Sequence, residues 1–252
     1  MRVRWAALAA VCVLAACTRQ STSTPAAVST TPTPTVTASA SPSATTSSPV
    51  TPSTSQSLTG YAAVGAAQIV RDLTVAVAAA SSVHYAGALD QAGNSVRTDM
   101  TASRDSATGT VDFGTGRIDV LRTQGVLYIR AGAGVWREQG VTNARALTSI
   151  VGKWVKLGAG DAARFRVFTD FQYLMTGFEQ PRYVVTGSAP TNGVEAVQLS
   201  DATGTVLAVA VAAPHLPLTA TSAAGRGSLT FSNWNAPVSV QTPVHWVDLA
   251  AS

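Results

Sequence analysis

Residues 83–102, which read VHYAGALDQAGNSVRTDMTA, decide the fold of this chain. In residues 83–90 and again in residues 95–102, apolar or small side chains fill every second position, and mostly polar ones fill the positions between. The first set comprises Val83, Tyr85, Gly87, Leu89, Val96, Thr98, Met100 and Ala102. Because the side chains of a β-strand point alternately to its two faces, this pattern predicts two antiparallel strands with one buried and one solvated face.

Runs of the same kind continue through the rest of the chain. The turn Thr123-Gln124-Gly125 predicts a hairpin, and its flanking alternating residues are Ile118, Val120, Leu127 and Ile129. Later runs are separated by turns rich in glycine, asparagine and aspartate. These strand-like runs are residues 182–187, 194–199, 206–212, 216–221 and 228–234. Together with a short strand at residues 154–157, these runs predict about ten strands in one meander.

Helical spacing occurs before and between the strands. Within residues 61–80, Ile69, Leu73 and Val77 recur every four residues, which predicts an amphipathic helix. Residues 141–151 and an aromatic patch at residues 165–178 predict shorter helices. A long antiparallel sheet with few helices predicts an α+β fold, in which a curved sheet of about ten strands wraps helices against its concave face.

The start of the chain has the features of a bacterial lipoprotein signal peptide. Two arginines precede an uncharged, mostly apolar segment that ends in Leu14-Ala15-Ala16-Cys17. That segment has about a dozen residues, fewer than the ~20 that a membrane-spanning helix needs, so we predict cleavage before Cys17. The new N-terminal cysteine would carry diacylglycerol and palmitate and hold the protein at the extracytoplasmic face of the plasma membrane. The other interpretation is an ordinary secretory signal with an incidental cysteine.

Composition divides the chain into three parts. Residues 1–16 are the predicted signal peptide, and residues 17–57 comprise the lipidated cysteine and a disordered tether rich in Ser, Thr and Pro. Residues 58–252 are long enough for one folded domain without disulfides. The tether is either a bare spacer or a site of O-glycosylation. The formal net charge of +4 is spread along the chain and forms no basic stripe, which argues against nucleic-acid binding.

The sequence lacks the usual signatures of catalysis and metal binding. It contains no GxSxG, SxxK or HExxH motif, so hydrolase and metalloprotease mechanisms have no obvious nucleophile or metal ligands. The histidines have no metal-ligand spacing; they are His84, His215 and His245. Three strand carboxylates are better explained as solvent-facing charges than as a glycosidase pair; they are Asp99, Asp112 and Asp119. We therefore predict a protein that is not an enzyme and uses no cofactor or metal.

Several short motifs resemble the mycobacterial LppX/LprA/LprF/LprG lipoprotein family. They occur in the family's order, at Ile69-Val70-Arg71-Asp72, residues 79–84, Val126-Leu127-Tyr128-Ile129, Gly152-Lys153-Trp154-Val155, residues 229–234 and Val238-Ser239-Val240. The resemblance covers most of the predicted domain. It implies a LolA-like half-barrel with an apolar cavity between sheet and helices, which carries the acyl chains of lipids or glycolipids to the cell envelope.

The leading hypothesis is a membrane-anchored carrier or binding protein for an acylated lipid or glycolipid, with envelope export proteins as candidate partners. The side chains expected to line its cavity are Ile69, Leu73, Val77, Trp154, Phe165, Phe171, Leu174 and Phe178. The same aromatic residues also suit an ordinary core, because they bury large apolar areas. The alternative hypothesis is therefore an envelope interaction protein with a solid core and no ligand cavity.

Overall fold

Twelve β-strands form one sheet in the described part of this computed structural model, which comprises residues 60–91, 94–178, 182–223 and 227–249. The predicted signal peptide, Cys17 and the tether lie outside these residues. In chain order the strands are β1 Ser82–Gln91, β2 Asn94–Ser103, β3 Ala107–Asp112, β4 Arg117–Thr123, β5 Val126–Ala131, β6 Val155–Lys156, β7 Val184–Ser188, β8 Ala196–Ser200, β9 Val206–Ala210, β10 Pro217–Thr221, β11 Gly227–Ser232 and β12 Val247–Asp248.

The sheet is open and almost entirely antiparallel. Its strand order is β12-β6-β5-β4-β3-β2-β1-β11-β10-β9-β8-β7, and the short β12–β6 pair is parallel. The predicted α+β half-barrel is confirmed. The strand count was too low, because β3 and β12 were not among the predicted strands.

Six α-helices accompany the sheet within the described residues. They are α1 Ala66–Ala79, α2 Ala133–Glu138, α3 Ala144–Ile150, α4 Ala159–Ala162, α5 Arg166–Thr169 and α6 Phe171–Thr176. The helix predicted from residue 61 is interrupted, because Gly65 has a φ of 88° and separates α1 from a 3₁₀ turn at Gly60–Val64. The side chains of Asn143 and Asp170 cap the N-termini of α3 and α6 by accepting hydrogen bonds from backbone N–H groups, as short polar side chains do at this position.

The concave face of the sheet carries the apolar half of the alternating pattern. Strand register aligns one row of side chains across β1 to β6: Tyr85, Met100, Gly109, Val120, Ile129 and Val155. The side chains in this row are buried and join one core cluster with residues of α1 to α3, α5 and α6. The solvated face predicted from residues 83–102 is therefore the convex one, where His84, Arg97 and Asp99 alternate with the core residues.

A C-terminal segment follows β11 and ends at the far edge of the sheet. The side chain of Asn235 accepts a hydrogen bond from the Ser81 backbone N–H at 2.8 Å, and the Asn235 N–H donates to Ser82 O at 3.0 Å. At the other end, the Val247 N–H donates to Trp154 O at 2.9 Å, which begins the parallel pairing of β12 with β6. The segment thus connects the start of β1 to β6, beside which β12 forms the edge of the sheet.

Candidate functional site

The structure brings all but one of the predicted cavity residues together in the core. Six of them are buried members of one cluster, and they are Ile69, Leu73, Val77, Phe165, Phe171 and Phe178. Leu174 is partly buried and packs against the same cluster. These side chains come from α1, from the segment that precedes α5, and from α6 and the turn after it. They form the helical half of the sheet–helix interior.

Trp154 lies on the opposite side of the sheet. The register pairs Ile129 with Val155 and Tyr128 with Lys156, so Trp154 shares the convex face with Lys156. There the guanidinium carbon of Arg130 lies 4.8 Å from the centre of a Trp154 ring, a cation–π contact. The prediction that Trp154 lines the cavity is corrected, because a shift of one residue in a strand exchanges the two faces.

Aromatic side chains fill much of the interior. Trp136 and Tyr85 are among its largest fully buried residues. The Trp136 Nε1–H donates to Ala131 O at 3.2 Å, and the Tyr85 hydroxyl donates to Phe168 O at 2.5 Å. Burial raises the pKa of Tyr85 above its usual value, so its hydroxyl stays protonated and can act as the donor. These bonds connect the sheet to the segments that cover it.

Helix α1 is fastened to the rest of the domain near both ends. At its start, the Tyr61 ring stacks on His215 with the ring centres 4.1 Å apart, and the Tyr61 hydroxyl donates to Asp72 Oδ2 at 2.8 Å. Burial and this carboxylate raise the pKa of Tyr61, and the hydrogen bond from Tyr61 leads the causes that lower the pKa of Asp72. At its end, the Arg104 guanidinium donates to Ala78 O at 2.8 Å, which satisfies a terminal helix carbonyl.

Two clefts in the described residues are open to solvent and are partly lined by charged side chains. One is lined by Arg117, Asp119, Arg130, Ala131, Gly132, Val151 and Gly152. The other is lined by Arg104, Asp105, Ser106, Arg122, Thr123, Gln124, Gly125, Val238 and Val240. None of the predicted cavity residues lines either cleft. Seven of the eight belong to the core cluster or pack against it.

Polar side chains on the convex face connect neighbouring strands. The His84 ring lies between Ser232 Oγ, 2.9 Å from Nδ1, and Asp99 Oδ1, 2.9 Å from Nε2. Asp119 pairs with Arg117 at 3.1 Å and with Arg130 at 2.9 Å. The Ser232–His84–Asp99 order is also that of a nucleophile, base and carboxylate, but neither cleft includes any of the three. Their evident effect is to tie β11, β1 and β2 together.

The described residues offer neither a metal site nor a membrane-spanning helix. They contain no group of three or more His, Cys, Asp or Glu side chains placed to hold a metal ion. None of their helices is both long and apolar enough to cross a bilayer.

The chain resembles known proteins at the level of solved structures. No protein-family model and no curated protein matches the chain. The chain is similar to two mycobacterial lipoproteins. LprF from Mycobacterium bovis is 18% identical over 70% of this chain and 95% of that one, with a TM-score of 0.49. The Mycobacterium tuberculosis lipoprotein LppX is 16% identical over 69% of this chain and 97% of that one, with a TM-score of 0.44.

The sequence-based list of cavity residues missed the contribution of the sheet. Apart from Trp154, every residue on that list lies on or beside a helix. The opposite wall of the interior consists of strand residues such as Tyr85, Met100 and Ile129, all of them buried. The signal that could have identified them is the period-two pattern itself, because it already marks which face of each strand is apolar.

Proposed function

We propose that this protein is anchored to the extracytoplasmic face of the plasma membrane through lipid on Cys17, and that it binds or carries an acylated lipid or glycolipid. In this proposal residues 1–16 are removed, residues 17–57 form the tether, and residues 58–252 form the lipid-binding domain. The ligand's acyl chain lies between the concave face of the sheet and the helices that cover it. The lipoprotein signal and the family-like motifs of the sequence support this assignment.

The observation that carries the proposal is an apolar interior covered mostly by very short helices. Helices α2 to α6 have only four to seven residues each. Helices of this length are not stable in isolation and depend on packing. An acyl chain that enters beneath them replaces one set of apolar contacts with another. Each buried CH₂ group contributes about 0.8 kcal/mol, which offsets the cost of moving the helices.

The helices α5 and α6 are the best candidates for the movable part of the cover. They contribute Phe168, Phe171 and Met175 to the core. Their charged side chains bond mainly to each other, since Arg166 pairs with Asp170 at 2.9 Å. This pair lies within the α5–α6 segment and moves with it. Helix α5 keeps one hydrogen bond to the sheet, from the Tyr85 hydroxyl to Phe168 O, which must break when the segment moves. By contrast, Arg104 bonds to the end of α1 and the 3₁₀ turn before α1 stacks on His215 through Tyr61, so we assign α1 to the fixed wall.

The test is to look for lipid on a chain that cannot be lipidated. A protein beginning at Thr18, made in bacteria and examined by native mass spectrometry, is expected to carry co-purified lipid. Removal of that lipid should lower the melting temperature, and added phospholipid or glycolipid should restore it. A protein that is lipid-free and gains no thermal stability from either class of lipid would contradict lipid binding.

A second candidate function is an envelope interaction protein with a solid core. The observation that favours it is the burial of six predicted cavity residues in one core cluster, together with two clefts that are open to solvent and include none of them. The same experiment distinguishes the two functions, because this candidate predicts no bound lipid and no lipid-dependent stability. Cross-linking in intact cells should then capture a protein partner on the exposed surface of the domain.

The anchor gives a separate prediction. Replacing Cys17 by alanine should abolish labelling by a clickable palmitate analogue, because the acylated thiol is gone. The matched control is Cys12→Ala, which removes the other cysteine of the chain and should leave labelling unchanged. Labelling that persists in Cys17→Ala would show that Cys17 is not the lipidated residue.

A further inference from the structure

Thr98 brings a hydroxyl group into the apolar interior. It lies on β2, is only 5% exposed, and faces the helices with the other concave residues of that strand. Its cross-strand neighbours on the same face are Gly87 and Val111. Neither neighbour offers a polar side-chain atom. On the sheet, the hydroxyl therefore has an apolar valine on one side and a glycine without a side chain on the other.

The Thr98 hydroxyl has no hydrogen-bond partner within the described residues. A buried hydroxyl without a partner is unfavourable, so native proteins rarely retain one without a reason. Two other hydroxyls of this interior are satisfied, whereas Arg122 Nε and Gln139 Oε1 are the other buried side-chain atoms without a partner among the described residues. The equally buried Thr169 hydroxyl donates to Phe165 O at 2.9 Å, and the Tyr85 hydroxyl donates to Phe168 O. Thr98 differs from them by being an unused donor on the wall of the proposed lipid site.

The surroundings of Thr98 restrict the chemistry of its partner. A single neutral hydroxyl does not compensate for the desolvation of a carboxylate or phosphate, so a charged head group is excluded at this depth. A hydrocarbon chain would leave the hydroxyl unsatisfied. The carbonyl oxygen of an acyl ester is neutral, accepts hydrogen bonds and lies directly beside the acyl chain.

We propose that the Thr98 hydroxyl binds the ester carbonyl of an acylated lipid and makes the interior selective for acyl esters over ether-linked or unsubstituted chains. This inference rests on the proposed lipid-binding function. Thr98 is then a specificity-determining residue, because its hydroxyl donates to the carbonyl oxygen while the chain beyond the ester occupies the apolar space beneath α5 and α6.

The experiment compares two probes of equal chain length, dipalmitoylglycerol and the corresponding dihexadecyl diether, by displacement of a fluorescent lipid from the chain that begins at Thr18. The wild-type protein should bind the diester about tenfold more tightly than the diether, the usual size of one hydrogen bond in a buried site. Thr98→Val should lose this preference, because the ester carbonyl then finds no donor in the interior. The matched control is Thr101→Val, which changes the convex face of the same strand and should keep the preference.

Stability of the ligand-free protein provides an independent measurement. Thr98→Val removes an unsatisfied hydroxyl and should raise the melting temperature, whereas Thr169→Val removes a satisfied one and should lower it. If neither probe binds to the wild-type protein, the proposed function fails and this inference fails with it. If both probes bind but the wild type shows no preference, or Thr98→Val retains it, only the ester inference is overturned. A lower melting temperature of ligand-free Thr98→Val would also overturn it, by showing that the hydroxyl is already paired.

Discussion

Replacing Trp136 by alanine is expected to lower the free energy of unfolding by about 3–5 kcal/mol, the range measured for large aromatic residues in cores. Trp136 lies on α2 and is fully buried, and its indole N–H donates to Ala131 O at the end of β5. The substitution leaves a large void and removes one of the two hydrogen bonds that Ala131 O accepts, since the Gly152 N–H also donates to it at 3.0 Å. Urea unfolding monitored by circular dichroism measures the difference in the free energy of unfolding, provided that the dependence on urea concentration (the m-value) is the same for both proteins.

The matched control for this prediction is Trp246→Ala. Trp246 is 46% exposed and contacts the Tyr128 ring on the convex face, with the ring centres 5.7 Å apart. Removal of a half-exposed side chain creates no enclosed cavity, so we expect a loss of under about 1 kcal/mol. Equal losses in the two variants would contradict the assignment of Trp136 to the core.

The alternating pattern was sufficient to predict the fold class and the buried face of the sheet. It was insufficient for β3, where the concave positions hold only Ala107, Gly109 and Val111. Two of these residues are too small to produce a clear hydrophobic alternation. The strand β12 has no local signal, because its two residues pair with β6 through a long-range contact of the C-terminal segment. Such pairing depends on where the chain returns in space.

The error at Trp154 also has a physical origin. Aromatic residues favour buried positions, and that preference led to its assignment to the interior. The residues that follow it contain the opposing signal, because Lys156 shares the face of Trp154, whereas Val155 shares the face of Ile129. A lysine on one face and a valine on the other identify the solvated side. Whether the interior holds a cavity is a different matter, since that depends on how side-chain volumes fit together in three dimensions.

Glycine is required at two strand positions. Gly87 in β1 has a φ of +155° and Gly109 in β3 has a φ of +150°, a backbone conformation that other residues rarely adopt. Glycine kinks within strands introduce curvature into a sheet. A Cβ atom at Gly109 would lie 2.1 Å from Asp99 O and 2.7 Å from Met100 Cα, both on the neighbouring strand β2.

Gly109→Ala is therefore expected to force β2 and β3 apart and to lower the free energy of unfolding by about 4 kcal/mol or more, a loss reserved for specific structural conflicts. The control is Gly140→Ala, where φ is +85° but no atom lies within 4 Å of the new Cβ. The control should lose only the backbone strain of about 1–2 kcal/mol. Urea unfolding measures the free energy of unfolding of both variants. If Gly109→Ala does not accumulate as folded protein while Gly140→Ala does, the destabilisation by Gly109→Ala is larger than this method can measure, and the prediction holds. If the two variants unfold within about 1 kcal/mol of each other, a resolvable difference by this method, the close contact between β2 and β3 does not limit the residue at position 109.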